Sequence, residues 1–189
     1  MPKIVKQSFS WFVSILLGIV VALILSIYVV QPTKVLGKSM EPTLHEQEQI
    51  IISKLPNTFN YHPNYGEIVI IDSRVSQKRS FKDDLSDNGL VRLLTGNHSD
   101  NIWIKRVIGK PGDVIDIKDN QLYRNGQKLN ETYIKEAMNA TNPVEVQLPY
   151  TVPKDSVFVL GDNRNHSRDS RSIGAVPIDH VLGVALFTK

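Results

Sequence analysis

An uninterrupted apolar run near the amino terminus restricts the architecture of this 189-residue chain more than any other feature. Residues 11–30 read WFVSILLGIVVALILSIYVV, in which 17 of 20 residues are apolar and the others are Ser14, Gly18 and Ser26. At about 1.5 Å of rise per residue, a helix of this length covers roughly 30 Å, which is the thickness of the hydrocarbon layer of a bilayer. The run therefore predicts a transmembrane helix.

Two other structures could contain such a run. A buried helix of a soluble domain is disfavoured because no charged residue lies between Lys6 and Lys34. A cleavable signal peptide has a shorter apolar region, about 7–15 residues, and small residues at its exit, whereas this run ends in bulky residues. We expect an uncleaved single-pass anchor at 11–30, a cytoplasmic tail at 1–10 and an extracytoplasmic domain at 31–189, since long carboxy-terminal domains translocate largely regardless of charge.

Composition excludes several classes of protein. The net charge is +3, and Lys3 and Lys6 precede the apolar run, so the rest of the chain is close to neutral and a nucleic-acid partner is not expected. The absence of cysteine rules out disulfides, a thiol nucleophile and a cysteine-based zinc site. The five histidines lack metal-ligand spacing and no nucleotide-binding loop is present, so we expect neither a metal nor a cofactor.

Beyond Pro32 the sequence is typical of a mainly β domain, either barrel-like or built of packed antiparallel sheets. Arg124–Gln127 (RNGQ) has the residues of a type I′ hairpin turn. The polar stretch Ser73–Asn101 predicts an exposed loop, and Glu131–Asn142 could hold a helical turn. The short β-branched runs that predict strands are Gln49–Ile52, Glu67–Ile71, Ile102–Ile108, Val114–Ile117, Gln121–Tyr123, Val144–Leu148, Ser156–Leu160 and Val181–Phe187.

Three segments carry residues suited to catalysis. They read VLGKSMEPTL at 35–44, WIKRVIGKPGD at 103–113 and GDNRNHSRDSR at 161–171. In the second segment, strand alternation puts Lys105 on the same face as Trp103 and Val107, an unusual place for a charge. Read alone, each segment has an ordinary explanation: a serine in a turn, a lysine at a strand edge, and a solvated loop of ion pairs.

Together, in this order and behind a membrane anchor, the three segments resemble the boxes of bacterial type I signal peptidase, a serine/lysine leader peptidase. The resemblance covers residues 11 to about 187 and is weakest in 73–101. The short chain with a single anchor is similar to the form found in Gram-positive bacteria. Relatives in the eukaryotic reticulum have histidine where this chain has Lys105, which favours the bacterial or organellar type.

The resemblance implies a set of site residues. Ser39 would be the nucleophile and Lys105 the general base, a pairing that is chemically sound only if burial lowers the pKa of the lysine. Ser167 would hydrogen-bond the lysine amine and orient it, and the backbone N–H of Ser39 would be part of the oxyanion hole. Gram-negative members have a serine hydroxyl as the second donor, but Gly37 occupies that place here. A structural network of ion pairs behind the site would consist of Asp162, Arg164, Asp169 and Arg171.

The substrates implied by the resemblance are exported preproteins, cut after small residues at the surface of the lipid membrane. An extended peptide would add along Thr33–Gly37 by β-augmentation. Two alternatives stay open: a self-cleaving repressor of related fold, and an inactive membrane-anchored binding or assembly domain. Candidates for the shallow apolar substrate pockets are Val35, Met40, Leu44, Ile50, Trp103 and Ile104, for which core packing is the competing explanation.

Overall fold

The structure is a computed structural model that describes residues 3–54, 61–86, 100–139 and 143–186. It consists of an amino-terminal helix followed by a mainly β domain. The helices are α1 (Lys3–Tyr28), α2 (Phe81–Ser86) and α3 (Ser170–Ile173). The strands are β1 (Val30–Lys34), β2 (Gln49–Ser53), β3 (Ile68–Asp72), β4 (Ile102–Gly109), β5 (Val114–Lys118), β6 (Gln121–Arg124), β7 (Gln127–Lys128), β8 (Tyr150–Thr151), β9 (Ser156–Leu160), β10 (Val176–Pro177) and β11 (Val181–Ala185).

Helix α1 extends across most of the apolar run and ends two residues before its predicted limit. Its side chains are described over residues 7–22, and all of them are exposed. Within the described residues, no helix is both long enough and apolar enough to cross a membrane. Only Val29 separates α1 from β1, so the β domain begins directly at the end of this helix.

A seven-stranded antiparallel sheet forms the larger part of the domain, in the order β1-β2-β11-β3-β4-β9-β10. Strand β4 lies inside this sheet, between β3 and β9, with Lys105 opposite Val69. The register is regular between β3 and β4, and it shifts between β4 and β9 beyond Val107. Because β4 has a partner on each side, every side chain on it is held at a fixed height in the sheet.

A smaller sheet has the order β7-β6-β5-β8. It packs on the larger sheet through an apolar cluster to which both sheets contribute side chains. Its hairpins follow turn chemistry. Asn125 and Gly126 both have positive φ, 53° and 78°, which confirms the predicted type I′ turn. Asp119 and Asn120 also have positive φ and join β5 to β6 in a hairpin of the same length, which the sequence patterns did not identify.

Two expectations about secondary structure are wrong. Residues 144–148 form no strand, since the N–H groups of Glu145 and Val146 donate to the carbonyl of Arg171 instead of joining a sheet. No helix forms in the described part of 131–142, where Lys135 bonds to Glu41 and Glu131 accepts from Arg164. The described part of the expected loop Ser73–Asn101 contains α2, and the rest of this stretch lies outside the described residues. Phe187, the predicted end of the last strand, also lies outside them.

Candidate active site

The candidate nucleophile lies in a turn just after β1. Ser39 is in a turn in which the Glu41 N–H donates to the Lys38 carbonyl, and the following Leu44 N–H donates to the Met40 carbonyl. The buried side chains of Met40 and Leu44 fix this turn on the sheet, where they pack with Val35 and Ile50. Ser39 itself is only half-buried, unlike Met40 and Leu44.

Strand β4 brings Lys105 to the same point. The amine Nζ of Lys105 donates to Ser39 Oγ at 2.8 Å and to the carbonyl of Ile104 at 3.0 Å. Lys105 is only 3% exposed, and its amine lies 5.6 Å from the ring centroid of Trp103. The two residues are 66 positions apart in sequence, so the long-range sheet topology is what creates this contact.

The surroundings of the amine favour its neutral form. Burial away from water lowers the pKa of Lys105 from 10.5 to about 8. The carboxylates of Asp169 and Asp162 act in the opposite direction, and the guanidinium of Arg171 adds to the lowering. A lysine with this pKa is partly neutral near physiological pH and can accept a proton from a neighbouring hydroxyl.

Gly161 lies close to both Ser167 and the turn that holds Ser39. A Cβ at this position would stand 2.2 Å from Ser167 Oγ and 2.6 Å from the carbonyl oxygen of Ser39. The Gly161 N–H donates to Asp169 Oδ2 at 3.0 Å. Only glycine therefore allows the loop after β9 to approach the nucleophile turn this closely.

The four charged residues expected to form the network, Asp162, Arg164, Asp169 and Arg171, are all buried, but their pairing differs from a self-contained network. Among the described residues, Asp169 and Arg171 pair with each other, at 2.8 Å. Asp162 is held by Arg106, with contacts of 2.8 and 2.6 Å, and Arg164 is held by Glu131. Arg106 and Glu131 are thus site-supporting residues that sequence reasoning missed. A signal for Arg106 was present, because an arginine next to the candidate base on the opposite strand face needs an acidic partner.

The expected contact between Ser167 and the lysine amine is not formed. Ser167 Oγ is buried and has no hydrogen-bond partner among the described residues. The two hydrogen bonds of Lys105 go to Ser39 and to the Ile104 carbonyl. The hydrogen bonds that orient the amine among the described residues therefore come from the nucleophile turn and from its own strand.

The expected pocket residues divide into two groups. Val35, Met40, Leu44 and Ile50 are at most 2% exposed, so they belong to the apolar core beneath the turn. Trp103 and Ile104 are half-buried and border the amine of Lys105. Of the predicted set, these two have surface available for contact with a substrate.

The sequence predicts that the backbone N–H of Ser39 is one donor of the oxyanion hole, with Gly37 at the place of the second donor. Within the described residues, the Ser39 N–H makes no hydrogen bond to protein. Gly37 has φ +76°, a conformation that strains any residue with a Cβ, and nothing lies within 4 Å of where that Cβ would be. A serine at position 37 would therefore be strained on this backbone, although there is space for its side chain.

A mainly β domain in which a half-buried serine bonds to a buried lysine, with no histidine bonded to either of them among the described residues, is typical of serine endopeptidases of the serine/lysine type. Comparison with known proteins identifies the family. The model of the family "Signal peptidase, peptidase S26" matches residues 8–188. The chain belongs to this family and is a serine endopeptidase, a hydrolase.

Relatives of this chain include signal peptidase I of Bacillus licheniformis, with 34% identity over 95% of this chain and 87% of the relative. Signal peptidase I T of Bacillus subtilis strain 168 is 32% identical over 94% of this chain and 83% of the relative. Signal peptidase IB of Staphylococcus aureus strain Mu50 is 30% identical over 96% and 89%. A crystal structure of a signal peptidase I from Enterococcus faecalis V583 matches with 30% identity and a TM-score of 0.44, over 65% of this chain and 96% of that one.

Proposed function

We propose that this protein is a membrane-bound signal peptidase that removes signal peptides from exported preproteins by means of a serine/lysine dyad. The observation that carries the proposal is the 2.8 Å contact between Lys105 Nζ and Ser39 Oγ at a buried amine. Family membership supports the substrate class, because the relatives named above are signal peptidases. No specific observation favours the inactive binding domain, since both the serine and the lysine are present.

The reaction begins with Ser39 and Lys105 acting together. With the amine neutral, the hydrogen bond between them reverses and the Ser39 hydroxyl donates to Nζ. Ser39 Oγ attacks the scissile carbonyl carbon while its proton passes to the Lys105 amine. The tetrahedral intermediate then collapses, the C–N bond breaks, and the leaving amine of the mature protein takes the proton from Lys105. An ester between Ser39 and the signal peptide remains.

Deacylation uses the same base. Neutral Lys105 removes a proton from a water molecule, which attacks the ester carbonyl and forms a second tetrahedral intermediate. The C–O bond to Ser39 breaks, Oγ regains a proton from Lys105, and the signal peptide leaves with a free carboxyl group. The free N–H of Ser39 supports the assignment of an oxyanion donor for both intermediates.

The edge of the larger sheet supports binding of an extended substrate. Strand β1 is the outermost strand on its side of the described sheet and pairs only with β2. A peptide that adds to β1 runs toward the turn that holds Ser39. The half-buried side chains of Trp103 and Ile104 are then available for the small residues that precede the cut.

An amino-terminal anchor accounts for the exposed apolar helix. Phe9, Trp11, Phe12 and Leu17 on α1 are each more than 60% exposed, so the β domain does not cover them. Because β1 starts at Val30, the domain would lie at the membrane surface, where a preprotein's cleavage region emerges. Protease added to wall-stripped intact cells should digest residues 31–189 and leave a short amino-terminal fragment; protection of the domain would contradict this orientation.

Alanine variants of the dyad test the proposal. Ser39→Ala and Lys105→Ala should each abolish cleavage of a signal-sequence peptide by the detergent-solubilised protein, since removing one member of a nucleophile–base unit costs about as much as removing both. Exposed Ser76→Ala and Lys154→Ala are matched controls and should cleave normally. Mass spectrometry of the products locates the cut. Near-normal turnover by either dyad variant, at equal folded amount, would refute the mechanism.

A further inference from the structure

We propose that the side chain of Asn163 is a positioning residue that aims the backbone N–H of Ser39 at the substrate carbonyl oxygen. The inference rests on the proposed function, in which that N–H stabilises the oxyanion. Asn163 is 1% exposed, yet it belongs to none of the ion pairs that surround the site. Among the described residues, its side chain makes no hydrogen bond to Ser39 Oγ or Lys105 Nζ, and the hydrogen bonds that it donates go to the backbone of the nucleophile turn.

Two hydrogen bonds connect Asn163 to this turn. Its side-chain Nδ2 donates to the carbonyl oxygen of Lys38 at 3.1 Å, and its backbone N–H donates to the carbonyl oxygen of Ser39 at 3.0 Å. The two carbonyl groups flank Ser39, the candidate nucleophile. Of the two bonds, only the first depends on the identity of the side chain, so it is the one that a substitution removes.

The geometry of the peptide unit converts this bond into an orientation of the oxyanion donor. The Lys38–Ser39 peptide is trans, and in a planar trans peptide the C=O and N–H bonds point in nearly opposite directions. Nδ2 of Asn163 holds the Lys38 carbonyl so that this carbonyl points toward Asn163. The N–H of Ser39, on the opposite side of the same peptide, therefore points away from Asn163. No other protein group among the described residues accepts from that N–H, so it is available to a substrate.

A second donor limits how much the turn depends on Asn163. The N–H of Glu41 also donates to the Lys38 carbonyl, at 3.2 Å. Loss of the Asn163 amide would therefore loosen the peptide plane without freeing it. The expected fall in kcat is at least about fivefold and stays below the roughly 10²–10³-fold that accompanies removal of a whole oxyanion donor.

The experiment compares Asn163→Ala with Asn165→Ala in the full-length protein in detergent. Asn165 lies in the same loop, but its side chain contacts Glu136, the Ala137 carbonyl and the Asn139 N–H, so it is a matched control. Asn163→Leu keeps the branched shape without the donor and replaces Asn163→Ala if that variant folds poorly. Thermal melting reports the folded amount, and cleavage of a signal-sequence peptide gives kcat, KM and the pH profile.

Acylation of Ser39 by a β-lactam gives a readout that needs no peptide substrate. Ser39 Oγ bonds to the ring carbonyl, the ring C–N bond breaks, and the serine proton passes through Lys105 to the ring nitrogen. The intact mass of the protein follows the rate. The positioning role predicts that kcat and the acylation rate fall by the same factor in the Asn163 variants, with KM within about twofold and the midpoint of the pH profile unchanged.

The outcomes separate the two proposals. Wild-type rates in a folded Asn163 variant would overturn the positioning role, and so would a loss that recovers at high pH, since that loss would act through Lys105. If wild-type protein is acylated but leaves the peptide uncut, the proposed function fails, while the acylation rates of the variants still decide the role of Asn163. If wild-type Ser39 is not acylated either, both proposals fail.

Discussion

Replacement of Lys105 by methionine should inactivate the enzyme and stabilise its fold near neutral pH. Methionine has a similar unbranched length and no charge, so it fills the same buried space between β3 and β9. The folded state lowers the pKa of Lys105 from 10.5 to about 8, mainly through burial. This difference of roughly 2.5 pKa units corresponds to about 3 kcal/mol of folding free energy that the wild-type protein loses.

The sign of this term depends on pH. Below pH 8 both states bind the proton, and the folded state bears the whole cost of the buried ammonium. Between pH 8 and 10.5 the unfolded chain binds more protons than the folded one, so the stability of the wild type rises with pH. The advantage of Lys105→Met should therefore be about 3 kcal/mol at pH 7 and about 1 kcal/mol at pH 10, before the lost hydrogen bonds to Ser39 and to the Ile104 carbonyl are subtracted.

Urea unfolding followed by circular dichroism, in detergent at both pH values, measures this difference. Groups other than Lys105 titrate equally in both proteins and cancel. Exposed Lys154→Met is the matched control and should show no pH-dependent difference from wild type. A gap between wild type and Lys105→Met that is the same at pH 7 and pH 10 would refute the depressed pKa. The activity of the wild type should rise through a midpoint near pH 8, where about half of the amine is neutral.

Three further substitutions test how the surroundings support the site. Gly161→Ala should lower kcat with a comparatively small change in melting temperature, because its Cβ would stand 2.6 Å from the Ser39 carbonyl oxygen and would displace it. A wild-type kcat would contradict this packing. Arg164→Ala should destabilise the fold by about 3–5 kcal/mol in urea unfolding because it leaves the buried Glu131 carboxylate without its compensating cation, and a loss below about 1 kcal/mol would be inconsistent with that. Asp72→Asn should destabilise the fold at pH 7 but less at pH 3. Burial raises the pKa of Asp72, but its hydrogen bonds to arginine lower it by more, so the net pKa is lowered and the charged carboxylate stabilises the fold until pH falls below about 4. An equal loss of stability at both pH values would refute this.

Local chemistry explains which parts of the fold could be predicted from sequence. The run Ser156–Leu160 is β-branched and apolar, and it forms β9 with the predicted limits. Residues 144–148 also contain β-branched residues, but Pro143 and Pro149 flank them, and the N–H groups of Glu145 and Val146 both bond to the carbonyl of Arg171. Propensity describes a segment alone, whereas strand formation also requires a neighbour with free backbone groups.

The site shows the same division between local and long-range information. The resemblance of three segments to the signal peptidase boxes picked out Ser39 and Lys105, whose side chains the structure brings within 2.8 Å, although their catalytic roles stay predictions. The partners of the buried charges could not be read from spacing. Glu131 meets Arg164 across 33 residues, from a segment whose only visible feature was a weak helical pattern. Asn163 was overlooked because its contacts are to backbone, which leaves no signature in side-chain chemistry.

The buried ion pairs contribute to the properties of the base as well as to the fold. Asp162 and Asp169 both lie close enough to Lys105 to raise its pKa, and two free carboxylates would hold the amine protonated. Each is instead bonded to an arginine through two side-chain contacts, Asp162 to Arg106 and Asp169 to Arg171. Because the arginine in each pair compensates the charge of its carboxylate, desolvation is the largest influence on the protonation state of the lysine. A buried lysine can thus lie beside acidic residues and still have a pKa near 8, provided that each carboxylate has its own cation.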